Sequence, residues 1–437
     1  MKKTRVLSTI LALSVIVTMF TGCQNTTAAT GTTKESTTGD TGGAAAQDTT
    51  TAQTTGEKPT IVLSRWAGPH ADDQKTVLAK YPDAIVKVDD IDYGNLKQKQ
   101  IQSMSSSADY DLVWAQEIWM PEYISKGWLM PLDEFVAKDK VDLSIYSPAM
   151  VDMNKVDGKL YAMPTFAQTL ILTYNKEWFE KEGQKVPTTV DELIAVAKYF
   201  KEKGTGIAIP AGQGQPSADI FAQFLYSAGG DYFDKDGKIN LTSPEALYAA
   251  NLWDELCEYS IDGSLTWQHD QVSQAIREEQ APFGITVTGL SGQDSMPDVS
   301  KIVDKVGYAV IPGSKLVSGC VSYWSWAVAA NSKNPEAAFK VAAWLTSAAV
   351  EKEQAMMNGQ ISAVSSLADD SEIVAKIPYL PATNETLKNA KTQPTSASAT
   401  AIFEPLAAAL SEIASSDKPS ADIFAGLQEQ LKDVTNK

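Results

Sequence analysis

The feature that most restricts the fold is an alternation of short apolar runs with helical ones, beginning at residue 59. "TIVLSRW" (60–66) reads as a buried strand, and residues 72–81 as a helix stopped by Pro82. "AIVKVDDI" (84–91) is a second strand, residues 93–104 a second helix, and "YDLVWA" (110–115) a third strand. Strands separated by helices predict an α/β chain with a parallel sheet and helices on its faces. In such sheets ligands bind beyond the carboxyl ends of the strands. Trp66 and Trp114 both fall at such ends.

The alternation resumes after residue 164. "PTTVDELIAVAKYFKEKG" (187–204) is a helix with a capping box, Thr189 and Glu192, and Gly204 as its stop. "GQGQPS" (212–217) reads as a loop, residues 220–228 as a helix, and "DKDGKINL" (234–241) as a turn plus strand. Ser243 and Pro244 open the next helix. "KVGYAVIPG" and "YWSWAVAA" are later strands, and residues 334–347, 398–414 and 421–434 later helices. "GKLYAMPTFAQTLILTYNKEWF" (158–179) is unusual, since Gln168 interrupts two segments that both ask for burial.

The chain has 437 residues, more than one hydrophobic core usually covers, so two lobes are expected. Its first 22 residues read as a signal peptide. Lys2, Lys3 and Arg5 precede an uncharged, mostly apolar stretch at 6–20, too short for a membrane span. "MFTGC" (19–23) resembles a bacterial lipobox, with Cys23 the lipid-modified residue; an ordinary secretory cleavage site is the alternative. Residues 24–58 are rich in Thr, Gly, Ala, Ser and Gln and cannot bury enough surface to fold. As a tether they would reach roughly 30–35 Å.

Charge and motif content exclude several functions. Removing residues 1–22 takes three basic residues from a chain whose formal charge is already −17, a surface that repels nucleic-acid phosphates. There are two His and no Cys-x-x-Cys or His-x-x-x-His, so no metal site is expected. Walker A, Gly-x-Ser-x-Gly and strand-linked Gly-x-Gly-x-x-Gly are absent, and no cofactor is expected. "DKDGKINLTSPE" (234–245) lacks the ligand and the Gly of a calcium loop and reads as a turn before a capped helix. Cys257 and Cys320 are open to pairing or to burial as thiols.

The stretch "GKLYAMPTFAQTLILTYNKEWFEK", with Tyr174-Asn175-Lys176 after an apolar strand, resembles the extracellular solute-binding proteins of family 1, the maltose-binding-like sugar receptors of ABC importers. "YDLVWAQEIWMPEYISKGWLMPLDEF" (110–135), "VPTTVDELIAVAKYF", "FLYSAGGDYF", "VGYAVIPG" and "WAVAANSKNPEAAFKVAAWLTS" follow in the family's order, so the resemblance covers residues 59–437. It implies a two-lobed periplasmic-binding-protein fold of type II, with the ligand in a cleft between lobes joined by crossover strands. The first lobe would comprise 59–164 plus 314–355, the second 165–313 plus 356–437. Gln168 would lie where the chain passes between lobes.

The resemblance further implies a non-enzymatic receptor that binds a neutral mono- or oligosaccharide and delivers it to permease subunits. It would be a monomer, held by acylated Cys23 at the extracellular face of the cell membrane, or in the periplasm if the cell has an outer membrane. Sugars need hydrogen bonds for their hydroxyls and aromatic faces for their C–H surfaces. Glu117 and Gln168 are the polar candidates; Trp66, Trp114, Trp119, Tyr323, Trp324 and Phe403 are the aromatic ones. Ser291, in the "TVTGLSG" loop, is a further polar contact. The competing readings are a secreted glycan-acting lipoprotein enzyme, and the same receptor with a non-sugar solute such as a polyamine.

Overall fold

The computed structural model describes residues 57–436 except Pro69 and Ala397. The leader, Cys23 and nearly all of the tether lie outside the described residues. Among the described residues ten strands run in chain order: β1 (Thr60–Trp66), β2 (Ile85–Ile91), β3 (Leu112–Gln116), β4 (Lys155–Val156), β5 (Lys159–Leu160), β6 (Ala162–Asn175), β7 (Ile207–Ala208), β8 (Phe283–Val287), β9 (Val306–Ala309) and β10 (Val321–Val328). β4 and β5 form a small hairpin of their own. The others make one sheet in the order β2-β1-β3-β10-β6-β8-β7, with β9 also on β6.

The expected parallel strands are present: β1 pairs parallel with β2 and β3, and β7 with β8. β10 lies antiparallel between β3 and β6, so the sheet is mixed. All five β3 residues are buried, as a strand covered on both faces requires.

β6 is the spine. Sequence periodicity broke this stretch at Gln168, yet the structure runs it as one strand of 14 residues. Residues 162–169 pair with β10, and residues 170–175 with β8 and β9. Each half of the strand thus belongs to a different core. One core gathers Leu63, Leu112, Trp326 and Phe339; the other gathers Leu172, Phe221, Trp253 and Phe424. Buried apolar residues between 361 and 380 pack into the first, and those between 402 and 431 into the second.

The helices follow local chemistry. In helix Val190–Glu202 both halves of the Thr189–Glu192 capping box form. Leu193, Val196, Ala197 and Phe200 occupy its buried face at helical spacing. Helix Pro244–Glu258 starts at the Ser243 hydroxyl, which accepts the Ala246 N–H. Two expectations need correction. Half of the "GQGQPS" loop is helical, because helix Gln215–Ser227 takes Pro216 into its first turn, where no N–H is needed. Residues 234–241 form no named strand: the Asp234 carboxylate accepts the N–H groups of Asp236 and Lys238, making a tight turn with isolated bridges Phe233–Ile239 and Lys238–Thr435.

Among the described residues no helix is long and apolar enough to cross a membrane, and no group of three or more His, Cys, Asp or Glu could hold a metal. No disulfide links Cys257 and Cys320; both are buried thiols.

Candidate functional site

A cavity lies where the carboxyl end of β1 and the middle of β6 meet the first turns of helices Gln215–Ser227 and His269–Arg277. Its space amounts to about 500 Å³ counted out to the mouth, and to about 60 Å³ for the centres of water-sized molecules inside it.

The aromatic wall comes from the first core. Trp66 and Trp324 stack with centroids 6.2 Å apart and planes 19° apart. Tyr93 meets the edge of Trp66 at 6.0 Å. A Cβ on Gly68 would come within 2.9 Å of the Trp66 indole, so the chain can fold back over that ring only with a glycine there. Trp324 is fully buried, and its Nε1–H has no partner among the described residues. Opposite it, β6 bulges: Trp324 pairs with Phe166 and Ser325 with Pro164, so Thr165 is the extra residue. Its hydroxyl donates to buried Glu351 at 3.0 Å.

A polar chain runs along the floor. The Tyr93 hydroxyl donates to Gln116 Oε1 at 2.8 Å, and Gln116 Nε2 donates to the Ser322 hydroxyl at 2.8 Å. Ser322 in turn donates to Glu117 Oε2 at 3.1 Å, and the Tyr323 N–H to the same oxygen at 2.8 Å. Burial pushes the Glu117 carboxyl up to about 8 against those donors. Gln168 faces the cavity, and its Oε1 has no partner among the described residues. A Cβ on Gly289 would sit 2.4 Å from that oxygen, so this glycine leaves room for the amide.

The opposite wall comes from one helix of the second core and one whose Val272, Ala275 and Ile276 pack in a smaller cluster. Gly214, at φ 133°, turns the chain into helix Gln215–Ser227 with a backbone that other residues rarely adopt. That helix presents Gln215 and Asp219 one turn apart. Asp219 Oδ1 accepts from Gln215 Nε2 at 2.9 Å, Gln393 Nε2 at 2.6 Å and the Cys320 thiol at 3.7 Å. Asp219 Oδ2 lies 3.5 Å from His269 Nε2. Helix His269–Arg277 is capped reciprocally by Gln268 and Gln271, which sets Gln268, His269 and Asp270 at the cavity rim. Burial raises the Asp270 carboxyl above its usual range. The cavity lining contains no Lys or Arg. Arg65, the cation nearest a strand end in the sequence, is buried elsewhere: it donates to Gln74 and His70, pairs with Asp90 at 3.5 Å and lies over the Trp114 ring.

Of the residues singled out from the sequence, Trp66, Gln168 and Trp324 line this cavity. Trp114 and Trp119 do not. Trp114 is 1% exposed, stacked on Trp326 and 4.7 Å from Trp324; Trp119 packs its edge on Trp324 at 5.5 Å. Both support the wall from behind. Glu117 is likewise turned away, since its carboxylate fastens β10 to the end of β3. Tyr323 is half-buried outside the lining, with its phenol pushed up to about 12 by burial. Ser291 is buried, with no partner for its Oγ among the described residues. Phe403 packs against side chains of both cores.

Sequence reasoning missed Tyr93, Gln116, Asp219 and His269. The available signals were Pro216 after Gly214, which marks a helix start, and the Gln268/Gln271 pair, which marks another.

A model of the bacterial extracellular solute-binding protein family matches residues 67–352. A probable amino-acid ABC transporter periplasmic-binding protein of Sinorhizobium fredii is 28% identical over 233 residues, 52% of this chain and 53% of that protein. The maltotriose-binding protein of Pyrococcus abyssi is 26% identical over 340 residues, 74% of this chain and 69% of its own length. A crystal structure of an ABC transporter solute-binding protein from Agrobacterium radiobacter K84, in complex with ribitol, matches with a TM-score of 0.77 at 26% identity, over 86% of this chain and 98% of that one. The two-lobed α/β fold expected from the sequence is the fold shared with that structure.

Proposed function

Because this chain belongs to the bacterial extracellular solute-binding protein family, we propose that it is the lipid-anchored receptor of an ABC importer, closing on a neutral sugar or polyol and handing it to a membrane permease. The observation that carries this reading is the cavity itself. Stacked indoles offer a face for C–H surfaces, and Gln168 Oε1 and Trp324 Nε1 are a buried acceptor and donor with no partner among the described residues. Groups of that kind are costly to leave empty-handed and are matched by hydroxyls, which both donate and accept.

A free amino acid fits less well, because its carboxylate asks for a cation that the lining lacks. A glycan-acting enzyme would need an acid and a base set across a bound bond; its relatives instead carry the names of binding proteins. Closure is a hinge motion, and β6 is the strand about which both halves turn.

The test is a thermal-shift screen with neutral sugars and polyols, followed by chromatography of the ligand after long incubation. A raised midpoint with the ligand recovered unchanged supports the receptor; a shortened or opened sugar supports the enzyme. Anchoring is read separately: Cys23→Ser is expected to release the protein from membranes into the soluble fraction, and unchanged sedimentation with membranes refutes the lipid anchor.

A further inference from the structure

We infer that this cavity takes one uncharged sugar ring or one open-chain polyol, not an oligosaccharide or an acidic sugar, and that Asp219 is its specificity-determining contact. The inference rests on the receptor reading above and narrows it.

Size comes first. The space open to the centres of water-sized molecules, about 60 Å³, becomes roughly 240 Å³ of cavity once a compact shape is widened by one water radius, about 1.4 Å, on every side. A single sugar ring fits within that. Three linked rings need about three times more and would hold the walls apart.

Charge comes second. Asp219 and Asp270 face the interior and no Lys or Arg does. A phosphate or carboxylate on the ligand would bring like charge against them in a site drained of water, where such repulsion is least screened.

Asp219 itself is built for a hydroxyl. Its Oδ1 is saturated by Gln215, Gln393 and the Cys320 thiol, so the carboxylate cannot rotate without breaking those bonds. Among the described residues its Oδ2 has only His269 Nε2, at 3.5 Å, beyond a good hydrogen bond. His269 Nδ1 is also without a partner among the described residues. One face of the cavity therefore presents a fixed anionic acceptor beside an imidazole. The facing wall presents the Gln168 acceptor and the Trp324 donor. Hydroxyls on both sides of one small molecule satisfy all of them, because each donates one hydrogen bond and accepts up to two.

Calorimetric titration of the purified chain tests this. The probes are glucose, galactose, ribitol and mannitol, then maltotriose, then gluconate and glucose 6-phosphate. We expect at least one of the first group to bind, and maltotriose and both anions to bind at least about a hundredfold more weakly. Asp219→Asn keeps an oxygen for Gln215 and Gln393 but replaces the free acceptor with a donor. It is expected to weaken the best ligand at least about tenfold, with the unliganded melting midpoint nearly unchanged. If D219N does not fold, Asp219→Glu, which displaces the same charge by one methylene, must show the loss. Maltotriose binding more tightly than any monomer overturns the size limit, and equal affinity for an anion overturns the charge limit; either leaves the receptor reading standing. Undiminished affinity in a folded D219N or D219E overturns the role of Asp219. Failure of every sugar and polyol overturns the receptor reading too.

Discussion

Replacing Glu117 by Gln isolates a charge that the fold resists. Glu117 is 5% exposed, and burial raises its carboxyl from the ordinary 4.5 to about 8. A raised carboxylate pKa means that the folded state holds the proton more tightly than the unfolded chain. The stabilisation is complete below pH 4.5 and shrinks as pH rises, because the unfolded chain ionises first; it is gone once pH passes about 8. At about 1.4 kcal/mol per pKa unit, the span from pH 4.5 to 7 removes about 3 kcal/mol. A glutamine cannot ionise, and its carbonyl can still accept the Tyr323 N–H and the Ser322 hydroxyl that Glu117 Oε2 receives. Wild type and E117Q should therefore lie closest near pH 5 and diverge toward pH 8, with the variant the more stable at the alkaline end. Differential scanning calorimetry across that range reads the gap as a difference in midpoint of several degrees. Parallel curves from pH 5 to 8 would refute the reasoning, since they would mean that Glu117 is ionised alike in both states.

Gln168→Ala removes an acceptor with no partner among the described residues, so sugar binding should weaken by about 1 kcal/mol or more with little change in the unliganded midpoint; titration calorimetry reads the first and a thermal melt the second. Gly289→Ala places a methyl 2.4 Å from Gln168 Oε1, so the amide must turn away and affinity should fall as in Gln168→Ala; equal affinity would show that the amide does not face the ligand. Trp114→Ala should cost about 3–5 kcal/mol in denaturant titration, because it empties the layer behind Trp324. Thr189→Ala should cost about 1 kcal/mol of stability and leave ligand affinity untouched, since its capping box lies away from the cavity.

Local chemistry made much of the scaffold legible. β1 falls on the apolar run 60–66, and the Thr189–Glu192 box and Ser243-Pro244 pair start the helices that the capping rules assign to them. The misreading of β6 has a physical cause. Gln168 looks like a break in a buried segment because periodicity assumes that a strand has one core to face, whereas β6 passes from one core to another and exposes that position between them. Trp66 and Gln168 were recoverable as cavity residues because strand ends and crossings are visible locally. Asp219 and His269 were not. Each is an ordinary polar residue near the start of its own helix, and they meet across 50 residues only after the second half has folded. Trp114 shows the opposite limit: a tryptophan at a strand end reads the same whether it lines a cavity or backs its wall.

The placement of β10 has a consequence for biogenesis. Its Trp324 lies across from Gln116 on one side and Phe166 on the other, so the strand that seals the first half's sheet is made some two hundred residues after its neighbour. Until it emerges from the ribosome, β3 carries a bare hydrogen-bonding edge, and loop closure over that length is slow. Completion of that sheet is thereby deferred until Val328 has been made, which gives a long interval in which an incompletely folded nascent chain can be engaged by chaperones or threaded through a translocation pore.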